Sequence, residues 1–166
     1  EEISKQPITA ALSGPAAGVI AATHFGVLAE MPNLICFDVG GTSADICLVE
    51  QGKPRMLTEG RVDIYDVKTP MIDIHAVGAG GGSIAWLAGG RSLKVGPDSA
   101  GSNPGPACYG KGGTEPTVTD ANMVLGRLTS GLAGGNLVLD PSQAEAAIEK
   151  IAEPLGLDLL KAADGI

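Results

Sequence analysis

Aromatic residues are scarce in this chain: one Trp, two Phe and two Tyr, 3% of 166 residues. A core built from it must be aliphatic. Single-stranded nucleic acid, which proteins hold by stacking bases on aromatic rings, is a poor partner. Basic residues are few as well. Eleven Lys and Arg stand against nineteen Asp and Glu, for a net charge of −8. The phosphate contacts that drive binding to nucleic acid, and the attraction to anionic membrane, are therefore lacking. No apolar run approaches the roughly 18 residues of a membrane-spanning helix. No basic stretch followed by an apolar one opens the chain, and a cytoplasmic setting is expected. The three cysteines, Cys36, Cys47 and Cys108, have neither CxxC nor zinc-ligand spacing. Cys36 and Cys47 fall in apolar strand patterns and read as reduced core residues.

Glycine is what the chain has in excess: 25 residues, about 15% against a usual share near 7%. The glycines are clustered, which marks turns or backbone that must approach something closely. With 44% hydrophobic and 18% charged residues, residues 1–166 read as one globular domain.

Helical spacing of Val19, Ile20, Thr23, Val27 and Leu28 follows Ser13-Gly14-Pro15 and predicts a helix to about Glu30. Leu34–Asp38 is short and almost wholly apolar, and reads as a buried strand. Asp45–Glu50, a Gln51-Gly52-Lys53 turn and Arg55–Thr58 complete an antiparallel meander over 34–58. One or two more strands are expected in Val62–Val77. Gly89-Gly90 between Ser83–Ala88 and Arg91–Val95 signals a hairpin with a two-residue turn. Residues 96–117 form a long Gly/Pro loop. Thr119–Leu128 reads as a short helix. A longer helix starts at Asp140-Pro141, with Gln143 completing a capping box and Ala144, Ala147, Ile148, Ile151 and Ala152 on its buried face. Residues 157–166 begin another.

Two strand-to-glycine junctions carry the chemistry. In Phe37–Asp45 a strand delivers Asp38, the turn Gly40-Gly41-Thr42-Ser43 exposes consecutive N–H groups, and Asp45 follows. Such a turn makes an anion nest. Asp38 and Asp45 would hold Mg²⁺ through water, since that ion prefers oxygen ligands and keeps its waters. An ordinary glycine hairpin with solvent-facing aspartates has the same pattern, and the Walker spacing is absent. In Asp73–Ser83, Asp73 and His75 precede Gly78, Gly80, Gly81 and Gly82. This is no Rossmann fingerprint, because Gly89-Gly90 interrupts the segment before a crossover helix. It reads as a second place of close approach to phosphate or nucleoside. Only one of Asp73 and His75 is expected to face a site unless the strand bulges. Cys108 in the proline-rich loop has no base near it in sequence and makes a poor nucleophile. Asp120 either caps the helix, as Thr119 also would, or serves as a metal or substrate ligand.

The stretches Ser13–Gly18, Phe37–Val49, Gly78–Ala85, Val95–Gly110 and Pro116–Leu128 together resemble the hydantoinase A / N-methylhydantoinase / 5-oxoprolinase family, which also takes in acetone and acetophenone carboxylase subunits. The resemblance implies an RNase-H-like, actin/sugar-kinase-like α/β fold: a mixed sheet with an antiparallel meander and flanking helices. It implies that this chain is an internal piece of a longer one, the core of its second half. The N-terminal half of the same polypeptide and a hydantoinase B-type subunit or domain would be its partners. The implied reaction uses ATP and Mg²⁺, or another divalent metal, to phosphorylate a cyclic amide before the ring opens. A ketone carboxylase subunit and a non-catalytic nucleotide-binding domain are the alternatives. Gly40, Gly41, Thr42 and Ser43 would cradle phosphate, with Gly78, Gly80 and Gly81 on the nucleotide side. Asp38 and Asp45 would be catalytic, and Asp38, Asp73, His75 and Asp120 are the candidate metal contacts.

Overall fold

The computed structural model describes residues 13–62, 65–129, 131–132 and 137–166. It is a mixed α/β structure whose paired strands are antiparallel wherever their register is defined. Where the sequence reads as one domain, the contacts gather in two compact units: Glu1–Asp38 with Ala44–Val77, and Val39–Ser43 with Gly78–Ile166. Among the described residues no helix is long and apolar enough to cross a membrane.

In the first unit, helix α1 (Ser13–Leu28) precedes strands β1 (Leu34–Val39), β2 (Ala44–Glu50) and β3 (Lys53–Pro54). The order β1-β2-β3 is a meander as expected, but its third strand is Lys53–Pro54, while Met56–Leu57, within the expected Arg55–Thr58 strand, pairs with another segment. Gln51 and Gly52, at φ 52° and 72°, form the tight turn between β2 and β3. Asn33 and Pro32 brace it by accepting from the Gln51 and Gly52 N–H groups, at 2.9 and 2.7 Å. The segment expected to hold one or two strands holds several short ones. β4 (Met56–Leu57) pairs with β7 (Met71–Ile72), β5 (Gly60–Val62) with β6 (Tyr65–Val67), and β8 (His75–Val77) with β2. Val19, Cys47 and Val49 form the core, joined by Leu34, Cys36, Ile72 and Ile74. Cys36 and Cys47 are thus core thiols, as read from the sequence. β1 is not buried as expected: Leu34 and Cys36 turn inward while Ile35 and Phe37 stand 72% and 62% exposed. Alternate side chains of a strand leave opposite faces, and only one face of β1 is covered.

In the second unit, β9 (Ser83–Ala88) and β10 (Ser92–Ser99) form an antiparallel hairpin. Its turn is Gly89-Gly90-Arg91, one residue longer than expected, with both glycines at positive φ. β10 runs on through a register shift to Ser99, so the first residues of the expected long loop are strand. The loop also holds a 3₁₀ turn, Ala107–Tyr109. After α2 (Val118–Val124) come the small pair β11 (Gly131–Leu132) and β12 (Leu137–Val138), then α3 (Pro141–Leu155) and α4 (Leu159–Asp164). All five apolar residues expected on the inner face of α3 are buried. Ala85 of β9, Ala121 of α2, Ile148 and Ile151 of α3 and Ala162 and Ala163 of α4 share one core. Asp140 caps α3 without the expected reciprocal capping box: Asp140 Oδ1 accepts from the Ser142 N–H and hydroxyl at 3.0 and 2.6 Å. The Ser142 hydroxyl, first among these donors, holds the Asp140 carboxyl below the usual carboxylate range.

The capping box sits instead at α2. Thr117, not Thr119 or Asp120, is its N-cap, and Asp120 is the third helical residue. The fully buried Asp120 carboxylate accepts from the Thr117 N–H (3.0 Å) and hydroxyl (2.7 Å), and from the N–H groups of Ala107 (3.2 Å) and Cys108 (2.8 Å). One side chain therefore starts a helix and fastens the proline-rich loop to it.

Ile148 has no exposed surface. Ile148→Ala is expected to lower unfolding free energy by about 2–5 kcal/mol in urea titration, from lost burial and the cavity left behind. Asp120→Asn turns an acceptor into a donor among buried donors. It is expected to cost about 1–3 kcal/mol for each group left unpaired, and to make residues 100–113 sensitive to limited proteolysis.

Candidate functional site

The apolar run of β1 ends at Asp38, and Asp45 opens the second residue of β2. Asp38 is exposed and Asp45 half-buried. Neither carboxylate has an ion-pair or hydrogen-bond partner among the described residues. Both line a cleft of about 200 Å³ in the first unit, whose walls include Pro15, Gly18, Cys36 and Cys47. The small residues of α1 leave the space, and the two cysteines give it an apolar floor. Two unpaired oxygen donors beside open water fit a hydrated hard cation. They do not fit a metal caged by protein alone. Among the described residues no three His, Cys, Asp or Glu side chains are placed to hold an ion together.

In the second unit the turn at Gly40–Ser43 is closed by the Gly40 N–H on the Ser43 carbonyl, at 2.8 Å. The second glycine run is bonded to it. The Gly81 N–H donates to the Gly40 carbonyl at 3.0 Å and the Gly82 N–H to the Gly41 carbonyl at 2.6 Å. A Cβ on Gly80 would lie 2.7 Å from the Gly40 oxygen, and one on Gly82 2.9 Å from the Gly41 oxygen. No side chain fits there. Thr119 clamps the other side, its N–H and hydroxyl both donating to the Gly81 carbonyl at 2.8 Å. The Gly80 N–H is held by the Ser83 hydroxyl at 2.9 Å. The N–H groups of Gly80 and Gly81 are thus committed inside the protein. The close approach expected to phosphate is an approach to the first turn. Gly78 has no such crowding. By contrast, Gly41, Thr42 and Ser43 carry three consecutive backbone N–H groups without a partner among the described residues, and Gly41 and Thr42 are exposed.

Asp73 and His75 come together: Asp73 Oδ1 is 3.3 Å from His75 Nε2, and Asp73 Oδ2 is 3.3 Å from Arg55 Nε. This corrects the expectation that only one of them faces a given side, since residues two apart along an extended chain share a face. Asp73 is nearly buried while His75 is open to solvent. Arg55 and Asp73 form an ion pair, and the His75 ring lies beside the same carboxylate. Asp120, the fourth metal candidate, is occupied by the four donors that make the loop and helix cap, a structural task in place of the ligand role. Cys108 is fully buried. Burial, followed by the negative charge of Asp120, pushes its thiol up to about 12, so it stays protonated and unreactive, as its sequence setting suggested. The clamps missed by sequence reasoning are Thr117, Thr119 and Ser83. Only the first had a local signal, the Thr-x-x-Asp spacing of a capping box.

The hydantoinase/oxoprolinase family pattern matches residues 1–166, the whole chain. The alpha subunit of caprolactamase from Pseudomonas jessenii is 50% identical over 93% of the chain, which covers 22% of that protein. The gamma subunit of acetophenone carboxylase from Aromatoleum aromaticum is 44% identical over 98% of the chain and 23% of its own length. The nucleotide-free structure of acetone carboxylase superposes with a TM-score of 0.78 at 38% identity, covering 92% of this chain and 22% of that one. The chain spans about a quarter of the length of these relatives. The glycine turns, Asp38, Asp45 and the proline-rich loop fastened by Asp120 all lie within the matched residues, and the chain belongs to the hydantoinase/oxoprolinase family.

Proposed function

We propose that this chain is one part of an ATP-dependent enzyme that opens a cyclic amide after phosphorylating its oxygen. The observation that carries the reading is the turn at Gly41, Thr42 and Ser43, whose three consecutive N–H groups have no partner among the described residues, braced by the Gly81 and Gly82 N–H groups on the Gly40 and Gly41 carbonyls. Successive free N–H groups form a seat for phosphate oxygens, and the Thr42 and Ser43 hydroxyls add donors. ATP would supply the phosphoryl group. The residues of this chain bind and neutralise charge, which is most of what a protein contributes to phosphoryl transfer. Asp38 and Asp45 would hold Mg²⁺ through its waters or orient the attacking group. Gly80 and Gly81 act through the turn they support, and Gly78 leads the chain to them.

The strand–glycine turn–strand order suits one half of an actin-like, RNase-H-like ATP cleft. The other half would come from polypeptide outside this chain, with a hydantoinase B-type subunit as partner. Likeness to a caprolactamase subunit at 50% identity supports a small cyclic amide as substrate. Likeness to an acetophenone carboxylase subunit at 44% supports a second reading, a ketone carboxylase. Bicarbonate-dependent ATP turnover would select that one.

The test uses the full-length polypeptide with its partner subunit. Asp38→Ala is expected to lower amide-dependent ATP turnover roughly 10²–10³-fold, as removal of one electrostatic contact to the transition state does. Unchanged nucleotide binding and turnover would sink the assignment. Gly80→Ala forces the turn aside and is expected to cost roughly 10²-fold, the scale of a misplacement near 1 Å. A turnover equal to wild type would show that the braced turn does not hold the phosphates.

A further inference from the structure

All three cysteines are free thiols. Cys108 is sealed within its own core. Cys36 and Cys47 stand differently, because the register of one hairpin sets them face to face. β1 and β2 are neighbours in the sheet, and the turn between them is closed by the Gly40 N–H on the Ser43 carbonyl. Counting outward from that bond along both strands sets Asp38 opposite Asp45, Cys36 opposite Cys47 and Leu34 opposite Val49. Side chains alternate between faces, so these three pairs share one side of the hairpin. Burial agrees with that register. Leu34, Cys36, Cys47 and Val49 pack with Val19 of α1 in one core, and Cys36, Asp38, Asp45 and Cys47 line the same cleft. Ile35 and Leu48, the opposed pair that comes between Cys36/Cys47 and Leu34/Val49, are both exposed on the other side. Hydrogen-bonded and unbonded pairs alternate along antiparallel strands. Gly40 and Ser43 are a bonded pair, and four steps outward Cys36 and Cys47 are one as well. The Cα atoms of such a pair stand about 5.5 Å apart, inside the roughly 4.4–6.8 Å that a disulfide spans. Among the described residues no third His, Cys, Asp or Glu is placed to complete a metal site with them.

We propose that Cys36 and Cys47 are a reversible disulfide site, open in this structure and closed by exchange with a small disulfide such as oxidised glutathione. Cys36 is half-buried at the wall of the cleft and Cys47 is 2% exposed beneath it, so the two sulfurs take different parts. The Cys36 sulfur attacks one sulfur of the small disulfide, whose S–S bond breaks. One small thiol leaves with the Cys36 proton, and Cys36 holds the other half as a mixed disulfide. The Cys47 sulfur then attacks Cys36 Sγ, and the second small thiol leaves with the Cys47 proton. Two protein thiols are oxidised and one small disulfide is reduced to two thiols. The new bond ties β1 to β2 beside Asp38 and Asp45, the next pair on the same side of the hairpin, and so locks the two strands that carry these carboxylates. Where glutathione keeps thiols reduced, the disulfides that do form are characteristically transient and redox-sensing. This inference is independent of ATP chemistry.

The experiment uses the full-length polypeptide carrying this sequence. Reduced protein is incubated with oxidised glutathione under native conditions and quenched in acid. The remaining thiols are alkylated after unfolding. Cleavage before Asp38 and Asp45 separates the two cysteines, and the peptides are read by mass spectrometry. A Cys36–Cys47 link, lighter by two hydrogens than the separate reduced peptides, is expected to form and to disappear with dithiothreitol, while Cys108 stays alkylated. Cys47→Ala is expected to stop at the glutathione adduct on Cys36, and Cys36→Ala to leave Cys47 unmodified. Both thiols alkylated after oxidation of the unsubstituted protein would overturn the proposal. So would a glutathione adduct on Cys36 that persists there unresolved, since Cys47 would then be out of reach. A link from either cysteine to Cys108 would overturn it too, because that link requires an unfolded chain. The unsubstituted protein decides by itself, so the test stands even if a variant fails to fold.

Discussion

Gly80 stands where a single methyl group would lie 2.7 Å from the carbonyl oxygen of Gly40. That steric limit governs the second unit. Backbone lies on backbone, the Gly81 and Gly82 N–H groups reach carbonyls of the first turn, and Thr119 secures the other side of Gly81. With its carbonyls held, the turn leaves the N–H groups of Gly41, Thr42 and Ser43 without a partner among the described residues. At Gly80 and Gly82 the need for glycine is one of thickness: only residues without a side chain allow the two runs to touch.

Much of this was legible because the signals are local. Asp140-Pro141 and the spacing of Ala144, Ala147, Ile148, Ile151 and Ala152 located α3 and its inner face, and both are determined within a few turns of one helix. The first two strands of the meander, the Gln51-Gly52 turn and the carboxylate–glycine turn at 38–45 were readable for the same reason. What escaped reading depends on partners distant in sequence. No pattern in Gly78–Gly82 says whether its N–H groups meet a phosphate or the carbonyl of Gly40. Asp120 has the residue type of a metal ligand, and only the fold reveals Ala107 and Cys108 at its oxygens. Residues 96–99 look like loop because Gly96 and Pro97 are poor strand formers, yet pairing with β9 carries the strand to Ser99.

β1 shows how an apparently failed reading can be informative. An almost wholly apolar strand was expected to be buried, and half of it is bare. Local sequence reflects the environment in which a strand works, whereas exposure reflects only what is present around it. The two agree for Cys36 and disagree for Ile35 and Phe37.

The grip of Asp120 on Ala107 ties together backbone 13 positions apart, which makes the loop and α2 a noncovalent ring. Closing a ring of that size has an entropic cost that grows only slowly with its length. Once it is closed, neither part can loosen without exposing a buried charge. Residues 107–120 therefore behave as one cooperative opening unit. A loop so rich in glycine would by composition alone be the first segment to fray, but it shares the stability of the helix that follows it.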